Sequence, residues 1–572
     1  MSERFDLVVR NGTVADGSGG PLIEADVAMT DGRIVAIGRN VSAGREEIDA
    51  RGKLVTPGFV DLHTHFDGQS IWDSRLSPTS WHGVTTVMMG NCGVGFAPVR
   101  ERDRDRLVEL MEGVEDIPNP CLHQGLDWKW ETYGEYLSAV ERRSHDVDIC
   151  SLLPHAALRV YVMGERAMRL EPATAEDSAK MRKIAAQAAK DGAFGFSTSR
   201  AIGHKSKKGD HTPTYKAEEH ELTSIGMGIS EGGQRLMQFI TDWDMPDVET
   251  EFGMLQRSVE KSGCTGLVSV FQRHSVPNLW RDVMRKCRES IENGVSIRPI
   301  VAPRTIGLMF SLQGTQNPFS GTPSYIAIAD QPLEKRVAIM RDPDFKKRVL
   351  SEDRFTLSTF AGLIRVSFDR MFRFEKVDYL PDLRDSIAAI AEREGRTPED
   401  VTYDMLLEKD GRQMIYSPAA NFHEANSNVC QEMLEDENAV IGLSDGGAHV
   451  GVILDASFPT FLLTYWGQEK KAFDIPHLVR RHTRDNARAI GLEDRGTIEL
   501  GMKADLNVID LDRLGLELPY MVRDLPANGV RLMQKATGYN ATIVSGVPTY
   551  RDGVALGPLP GKVVRGPQAR PN

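Results

Sequence analysis

The sequence has few cysteines, no long apolar run and no excess of positive charge, and each absence excludes a class of protein. Six cysteines in 572 residues, without paired spacing, argue against a disulfide-stabilised scaffold. No run of 18 apolar residues occurs, so no transmembrane helix is expected. The 69 basic and 81 acidic residues give a formal net charge of −12 without a basic block. That balance argues against binding to nucleic acid or to an anionic membrane.

A targeting signal, an internal repeat and a low-complexity tract are also missing. Residues 1–6 lack a basic region followed by an apolar run, so a signal peptide is not expected. The chain is 41% hydrophobic and 26% charged and can bury a large core. These features predict a reduced, soluble, cytoplasmic protein. A homo-oligomer is compatible with the sequence, but no heptad pattern specifies a subunit count.

The two ends of the chain resemble each other in composition and differ from the middle. Within residues 1–57, β-rich runs are separated by Asn11-Gly12, Asp16-Gly17 and Asp31-Gly32, which favour tight turns. Residues 490–556 contain similar strand and turn segments. We therefore predict one β-sandwich domain built from 1–57 and 490–556, followed by a C-terminal tail at 557–572 that wraps the surface or is disordered.

The middle of the chain, residues 58–489, alternates short apolar strands with amphipathic helices such as 175–191 and 280–293. Eight candidate strands lie at 54–60, 85–89, 149–153, 194–197, 236–240, 267–271, 296–301 and 440–443. Alternation of this kind predicts an α/β fold with a parallel sheet, and eight strands predict a (β/α)₈ TIM-like barrel. Residues 304–385 break the pattern, and we interpret them as an insertion on one barrel loop that could act as a lid.

The strongest local signal is His63-Thr64-His65, which follows an apolar strand after Pro57-Gly58. Alternate residues of a strand face the same side, so the two imidazoles point together. Neutral imidazoles at a barrel mouth suit zinc and similar metals. The alternative is a pair of surface or core histidines, but the strand context favours metal ligation.

A second strand ends in Gly90-Asn91-Cys92-Gly93. A thiolate at the same mouth is a soft metal ligand, and the flanking glycines allow a close backbone approach. A buried structural cysteine is the usual alternative. The presence of His63 and His65 favours ligation by Cys92.

A third strand ends in Ser444-Asp445-Gly446-Gly447. A short, rigidly held carboxylate can both touch a metal and accept a proton from water, so we assign Asp445 as metal ligand and general base. An Asx turn or a helix N-cap is the alternative for this segment.

Five segments, taken in order with the N-terminal β segment, resemble the amidohydrolase superfamily, and more closely its D-aminoacylase branch, the N-acyl-D-amino-acid deacylases. These segments are 55–65, 90–93, 192–198, 444–446 and 501–508. The resemblance covers nearly the whole chain and implies metal-dependent hydrolysis of a C–N amide bond. Many superfamily members bridge two metals with a carboxylated lysine on strand four, whereas 194–197 has no lysine. The D-aminoacylase branch uses a cysteine instead, and Cys92 matches that position.

Two strand ends depart from the family pattern. Where the family typically has histidine after strand five, this chain has Gln238. Strand six also ends in histidine in the family, and here either Gln272 replaces it or His274 reaches back. The resemblance therefore implies zinc as one or two ions, with one ion favoured on His63, His65 and Asp445.

Weaker candidates surround this set. His155 and Asn91, with Gln238, Gln272 and His274, are candidates for substrate binding. His204 and His211 lie in a polar loop that is either solvated or covers the site. Arg304, Arg365 and Arg370 could bind a substrate carboxylate.

Three functions remain open at this point. The first is hydrolysis of an amide such as an N-acyl amino acid, by metal-activated water with Asp445 as general base. The second keeps the scaffold but cleaves a cyclic amide, carbamate, urea or ester, since fold does not fix substrate. The third is a non-catalytic barrel with an eroded metal site, suggested by Gln238 and Gln272.

Overall fold

The computed structural model describes residues 4–353 and 367–571. In chain order its strands are β1 (Phe5–Val14), β2 (Ile23–Thr30), β3 (Arg33–Gly38), β4 (Gly44–Asp49), β5 (Leu54–Pro57), β6 (Phe59–Asp61), β7 (Val84–Met89), β8 (Asp148–Ser151), β9 (Leu153–Pro154), β10 (Gly195–Arg200), β11 (Leu236–Thr241), β12 (Thr265–Ser269), β13 (Ile297–Val301), β14 (Ile306–Phe310), β15 (Phe372–Phe374), β16 (Met414–Ala420), β17 (Val440–Ile441), β18 (Leu506–Ile509), β19 (Gly515–Leu516), β20 (Tyr520–Leu525), β21 (Gly529–Met533), β22 (Ala536–Thr537), β23 (Tyr539–Val544), β24 (Val547–Arg551) and β25 (Val554–Ala555).

The α-helices fall mainly between the strands of the middle region. They are α1 (Gln69–Trp72), α2 (Arg104–Glu115), α3 (Asn119–Gly125), α4 (Tyr133–Glu141), α5 (His155–Met163), α6 (Glu165–Met168), α7 (Ala175–Asp191), α8 (Glu219–Glu231), α9 (Val248–Ser262), α10 (Leu279–Glu292), α11 (Pro323–Ile326), α12 (Leu333–Met340), α13 (Pro343–Ser351), α14 (Ile387–Glu394), α15 (Pro398–Gly411), α16 (Asn428–Glu435), α17 (Phe458–Phe461), α18 (Ile475–Arg480) and α19 (Asn486–Ala489). Within the described ranges, no helix is long and apolar enough to cross a membrane.

A nine-stranded sheet combines both ends of the chain. Its order is β25-β24-β23-β18-β5-β1-β2-β3, with β4 paired to β1. The two ends meet where β18 pairs antiparallel with β5. Asp31-Gly32 forms the predicted hairpin turn between β2 and β3, with both residues at positive φ. Asn11-Gly12, predicted as a turn, instead lies inside β1 at an irregularity of the β1–β2 register, where Asn11 has φ 56°.

Parallel strands dominate the middle of the chain. Six of them run in the order β17-β13-β12-β11-β10-β9, and three more in the order β6-β7-β8. Only Leu152 separates β8 from β9, and an isolated parallel bridge joins Thr64, beyond β6, to Gly446, beyond β17. The result is an α/β fold in which each predicted middle strand overlaps an observed one. The first prediction was too long, since 54–60 divides into β5, which joins the nine-stranded sheet, and β6.

Helix α7 illustrates how the sequence builds these elements. Thr174 caps it: the Thr174 hydroxyl accepts a bond from the Asp177 amide at 3.1 Å, and the Asp177 carboxylate accepts one from the Thr174 amide at 2.9 Å. Met181, Ala185 and Ala188 recur at helical spacing and are buried. The helix ends at Gly192, whose φ of 120° suits glycine.

The segment between β13 and β17 forms a unit with its own core. Strands β14, β16 and β15 make an antiparallel sheet, and helices α11 to α15 pack beside it. This unit extends to Ala420, past the predicted end of the insertion at residue 385. Its apolar cluster includes Val452 and Ile453, so it contacts the loop that follows Asp445.

Residues 561–564 of the C-terminal tail pack along β8, and Gln568 pairs with residues 491–493. The Ile149 amide donates to the Lys562 carbonyl at 2.9 Å, and the Val564 amide donates to the Ile149 carbonyl at 2.8 Å. Val563 and Val564 are buried. This part of the tail therefore packs against the parallel strands.

Candidate metal centre

His63 and His65 follow β6 and are almost completely buried, each 1% exposed. Their ring centroids are 5.4 Å apart. Between them, the Thr64 amide and hydroxyl both donate to the Met88 carbonyl of β7, at 3.0 and 2.7 Å. The His65 amide donates to the Gly446 carbonyl at 2.7 Å. Hydrogen bonds to β7 and to the segment after β17 therefore fix the backbone that carries both histidines.

Cys92 lies beside His63 because three of the four residues in the turn 90–93 adopt positive φ. The values are 80° at Gly90, 53° at Cys92 and 72° at Gly93. A Cβ atom on Gly90 would stand 2.3 Å from the Leu152 carbonyl oxygen, so only glycine fits there. The Cys92 Sγ is 3.3 Å from His63 Nε2. Donor atoms of His63, His65 and Cys92 all lie within 4.8 Å of one another.

Asp445 reaches the same point from the end of β17. Its Oδ1 is 3.3 Å from His63 Nε2 and 3.6 Å from His65 Nε2. The residue has φ 50°, a conformation that non-glycine residues rarely adopt and that often marks functional sites. Its amide donates to the His63 carbonyl at 3.1 Å, so the general-base candidate and the ligand candidates share one backbone network.

The chemistry of these donors fits a divalent cation such as zinc. His63 Nδ1 and both ring nitrogens of His65 are buried without a hydrogen-bond partner in the described part of the chain. Burial lowers the pKa of both histidines to about 3, so their imidazoles are neutral, as metal ligation requires. Burial also raises the pKa of the Cys92 thiol well above its usual value. A cation among these donors would reverse that preference and favour the thiolate.

The structure adds two residues that the sequence motifs did not identify, Glu115 and His449, and brings the loop candidate His204 near the same histidines. Glu115, at the end of α2, places Oε1 3.3 Å from His65 Nδ1 and Oε2 3.5 Å from His449 Nε2. Burial, with a smaller effect from His65, lowers the pKa of His204 to about 4, and its Nδ1 is 2.8 Å from the Ser199 hydroxyl. One signal was available: Glu115 is an acid on the buried face of α2, four residues after Met111.

Two of the predicted substrate-binding residues make internal contacts instead. His155 is buried between the Thr198 hydroxyl at 2.8 Å and Glu221 Oε1 at 2.9 Å. The Asn91 amide group donates to the Thr64 and Met88 carbonyls at 3.1 and 2.9 Å and so braces the strand ends.

Gln238 lies close to the cluster, but Gln272 and His274 are held elsewhere. Gln238 Oε1 accepts a hydrogen bond from the Cys92 amide at 3.2 Å. Gln272 Nε2 donates to Glu424 at 2.9 Å, and its Oε1 accepts from the His423 amide at 3.0 Å. His274 Nε2 donates to the Pro418 carbonyl at 3.1 Å. Gln272 therefore anchors the segment after β16, and His274 contacts β16 itself.

The remaining candidates do not gather at the cluster. Arg304 is 2% exposed, its Nη1 is 3.0 Å from Asp455 Oδ1 and its guanidinium lies 3.7 Å from the Tyr379 ring centroid. His211 stacks on Tyr215 with centroids 4.2 Å apart. Arg370 lies 3.6 Å from Asp369. Arg365 is outside the described residues.

Fold and site together define a class: an α/β protein whose parallel strands carry a His-x-His pair, a cysteine and an aspartate at one end. Residues 46–550 match the sequence profile of the amidohydrolase family, and the chain belongs to that family. The predicted resemblance is thereby confirmed.

Relatives agree over most of the chain. A D-aminoacylase of Alcaligenes xylosoxydans xylosoxydans is 26% identical over 571 residues, covering 98% of each chain. An N-acyl-D-glutamate deacylase of the same organism is 26% identical over 517 residues, covering 90% of this chain and 88% of the relative. An uncharacterized protein of Mycobacterium tuberculosis is 27% identical over 540 residues, covering 88% and 84%.

Solved structures share the fold. A D-aminoacylase structure has a TM-score of 0.65 at 20% identity, covering 98% of this chain and all of that one. A Bordetella bronchiseptica N-acyl-D-glutamate deacylase, complexed with zinc and a phosphonate inhibitor, has a TM-score of 0.64 at 21% identity with the same coverage. The chain is an enzyme of the amidohydrolase type, a metal-dependent amide hydrolase in general terms.

Proposed function

We propose that this protein is a zinc-dependent hydrolase of small-molecule amides, with N-acyl amino acids as the leading substrate class. The observation that carries the proposal is the convergence of His63, His65 and Cys92 donor atoms within 4.8 Å, with Asp445 Oδ1 3.3 Å from His63 Nε2. The names of the D-aminoacylase and N-acyl-D-glutamate deacylase relatives support the substrate class.

We propose the architecture predicted for this activity. The six-stranded and three-stranded parallel sheets would close into one (β/α)₈ barrel. The continuous chain from β8 to β9 would join them on one side, and the Thr64–Gly446 bridge on the other. The candidate site then occupies the carboxyl ends of the strands, where barrel enzymes carry their active sites. The nine-stranded sheet belongs to the accompanying β-sandwich domain.

His63, His65 and Cys92 would hold the ion, with Asp445 beside it. Zinc at such a position supplies Lewis acidity, the property used by metal-dependent hydrolases to polarise carbonyl groups. Asp445 removes a proton from the attacking water at Oδ1 and returns it to the leaving nitrogen as the C–N bond breaks. The backbone bond from Asp445 to the His63 carbonyl keeps this carboxylate in place while the proton moves.

We favour a single ion. Gln238 and Gln272 are weak zinc ligands, and Gln272 is occupied by Glu424 and His423. One D-aminoacylase structure is described in terms of a binuclear metal centre with one-metal activation and second-metal attenuation, which supports activity with one ion. The zinc complex of the N-acyl-D-glutamate deacylase supports the choice of metal.

The recess beside Asp445 bears on which amides to test. It is lined by Gln69, Ala448, Ile453, Asp455 and Arg531. Arg531 is the cation of this lining, and Asp524 already engages it through two contacts of 2.7 and 2.8 Å. A substrate carboxylate would have to compete with Asp524 for Arg531. Neutral amides should therefore be assayed together with N-acyl amino acids.

The test is a metal analysis combined with an activity panel. We expect about one zinc ion per chain and zinc-dependent turnover of at least one member among N-acyl-D-amino acids, N-acyl-L-amino acids, aryl amides and lactams. Cys92→Ser should weaken zinc binding, whereas Cys150→Ser, a matched change at a buried cysteine of β8, should not. Protein that binds no stoichiometric metal and gains no activity with zinc, manganese or cobalt would refute the proposal.

A further inference from the structure

Glu115 is a buried carboxylate at the candidate centre with no part in the mechanism above. It ends α2, is 1% exposed, and lies outside the strand ends that carry the other site residues. Its two oxygens divide between two histidines, with Oε1 3.3 Å from His65 Nδ1 and Oε2 3.5 Å from His449 Nε2. An acid is seldom buried this deeply unless it has a partner.

The backbone of Glu115 makes a second link to the same region. Its carbonyl accepts a hydrogen bond from the His449 amide. His449 lies four residues after Asp445 in the same loop, where the Ala448 amide donates to the Asp445 carbonyl at 2.9 Å. Glu115 thus contacts a candidate zinc ligand on one side and the loop of the candidate general base on the other.

We propose that Glu115 is a positioning residue of the metal centre, which fixes the ring of His65 and the Asp445–His449 loop relative to each other. With Oε1 3.3 Å from His65 Nδ1, the Glu115 carboxylate would accept the Nδ1 proton when a metal engages the ring and would leave Nε2, which is 3.6 Å from Asp445 Oδ1, as the metal-binding nitrogen. Carboxylates that hold metal-ligating histidines in this way raise metal affinity by fixing tautomer and orientation. The inference rests on the metal site of the proposed function.

A purely structural role makes a different prediction. If Glu115 only fills space and holds α2 in place, replacing its carboxylate by an amide of the same shape changes neither metal affinity nor the geometry around the metal. If it positions His65, Glu115→Gln weakens zinc binding while the metal-free protein keeps its stability. The two roles therefore separate on metal binding, without any need to measure turnover.

The experiment compares full-length wild type, Glu115→Gln and Glu115→Asp. Zinc affinity is measured by competition with a chromogenic chelator, and the ligand environment by the visible absorption of the cobalt-substituted proteins. We expect Glu115→Gln to bind zinc about 10- to 100-fold more weakly and to alter the cobalt spectrum. Glu115→Asp keeps the negative charge on a shorter side chain, and we expect its zinc affinity to lie between those of wild type and Glu115→Gln. It also tests the proposal if the glutamine variant does not fold.

Asp116→Asn is the matched control, since Asp116 adjoins Glu115 but its Oδ2 accepts a hydrogen bond from the Thr315 hydroxyl at 2.6 Å. It should bind zinc as wild type does. Equal zinc affinity and an identical cobalt spectrum for wild type and Glu115→Gln would overturn the positioning role and leave the proposed function intact. A wild type that binds no zinc would overturn both.

Discussion

At the scale of the residue, a substitution of Asp445 distinguishes the loss of proton transfer from the loss of metal binding. We expect Asp445→Asn to lower kcat/KM by about 100- to 10,000-fold, because an amide cannot accept the proton of the attacking water. Zinc content should stay near that of wild type, because His63, His65 and Cys92 keep their mutual geometry. Kinetics on the best substrate of the panel, with zinc analysis of the same sample, tests this. Full activity in the asparagine variant would exclude Asp445 as the base.

His155, which the sequence suggested as a substrate-binding residue, is completely buried in the structure. Its two ring nitrogens lie 2.8 Å from the Thr198 hydroxyl and 2.9 Å from Glu221 Oε1, and Arg159 Nε is 2.7 Å from the same Glu221 oxygen. We expect His155→Phe to cost about 1–3 kcal/mol of stability, because these buried polar groups lose a partner. Urea denaturation measures that loss. A raised KM at unchanged stability would instead indicate substrate contact.

The limits of sequence reasoning at this scale follow from how each residue reaches the site. His63, Cys92 and Asp445 stand just past the ends of apolar strands, so strand patterning was enough to predict their proximity. Glu115 arrives on a helix and His204 on a loop, and no local pattern indicates where such segments fold. Gln272 also follows a strand, but Glu424, which lies 152 positions away, engages its side chain.

At the scale of the element, the turn after β7 determines where Cys92 lies. Gly90→Ala places a methyl group against the Leu152 carbonyl and imposes positive φ on alanine. We expect a loss of more than 1 kcal/mol in stability, together with weaker zinc binding, because the turn must shift and carries Cys92 with it.

Gly263→Ala controls for backbone strain alone. Gly263 has φ 67° at the end of α9, and nothing lies within 4 Å of an added Cβ. It should cost about 1 kcal/mol and leave zinc affinity unchanged. If both variants lost the same stability and neither lost zinc affinity, the turn would have no special role in placing the thiol.

Helices and strands were predictable where the apolar periodicity is strong. They were predicted wrongly where the chain changes direction at a single residue. The helix predicted at 175–191 coincides with α7 because a cap, an apolar stripe and a terminal glycine agree. The strand predicted at 54–60 fails as a unit because its halves join different sheets on either side of Gly58, a position where a Cβ would meet Thr85 at 2.1 Å. That contact is between residues distant in sequence, which composition and period do not reveal.

At the scale of the whole molecule, buried charges join the parallel strands to the segment that leads into β18. Asp148 of β8 is 2% exposed, and its Oδ2 lies 2.7 Å from Arg495 Nη1 and 3.2 Å from Lys503 Nζ. Sequence analysis could predict that both chain ends form one β unit, because their composition matches. It could not predict this junction, since charged residues in loops carry no pairing information.

The ion pairs of Asp148 with Arg495 and Lys503 should make the free energy of unfolding depend on pH in the acid range. Burial alone would raise the pKa of Asp148, but Lys503 and Arg495 outweigh it and hold that pKa below its ordinary value. A carboxyl with a lowered folded pKa adds stability above its unfolded pKa of about 3.9, and this stability is lost as the pH falls through the lower folded value. We expect Asp148→Asn to cost about 3 kcal/mol at pH 7 and the gap to wild type to narrow below about pH 4.

Urea denaturation of both proteins between pH 7 and pH 3 measures this gap. Asp510→Asn provides the comparison, since Asp510 pairs with Lys53 at 2.9 Å near the surface and its loss should cost about 1 kcal/mol or less. A gap between Asp148→Asn and wild type that stays constant down to pH 3 would contradict the assignment. The charge of Asp148 would then contribute nothing to stability, and other contacts would hold the two parts of the chain together.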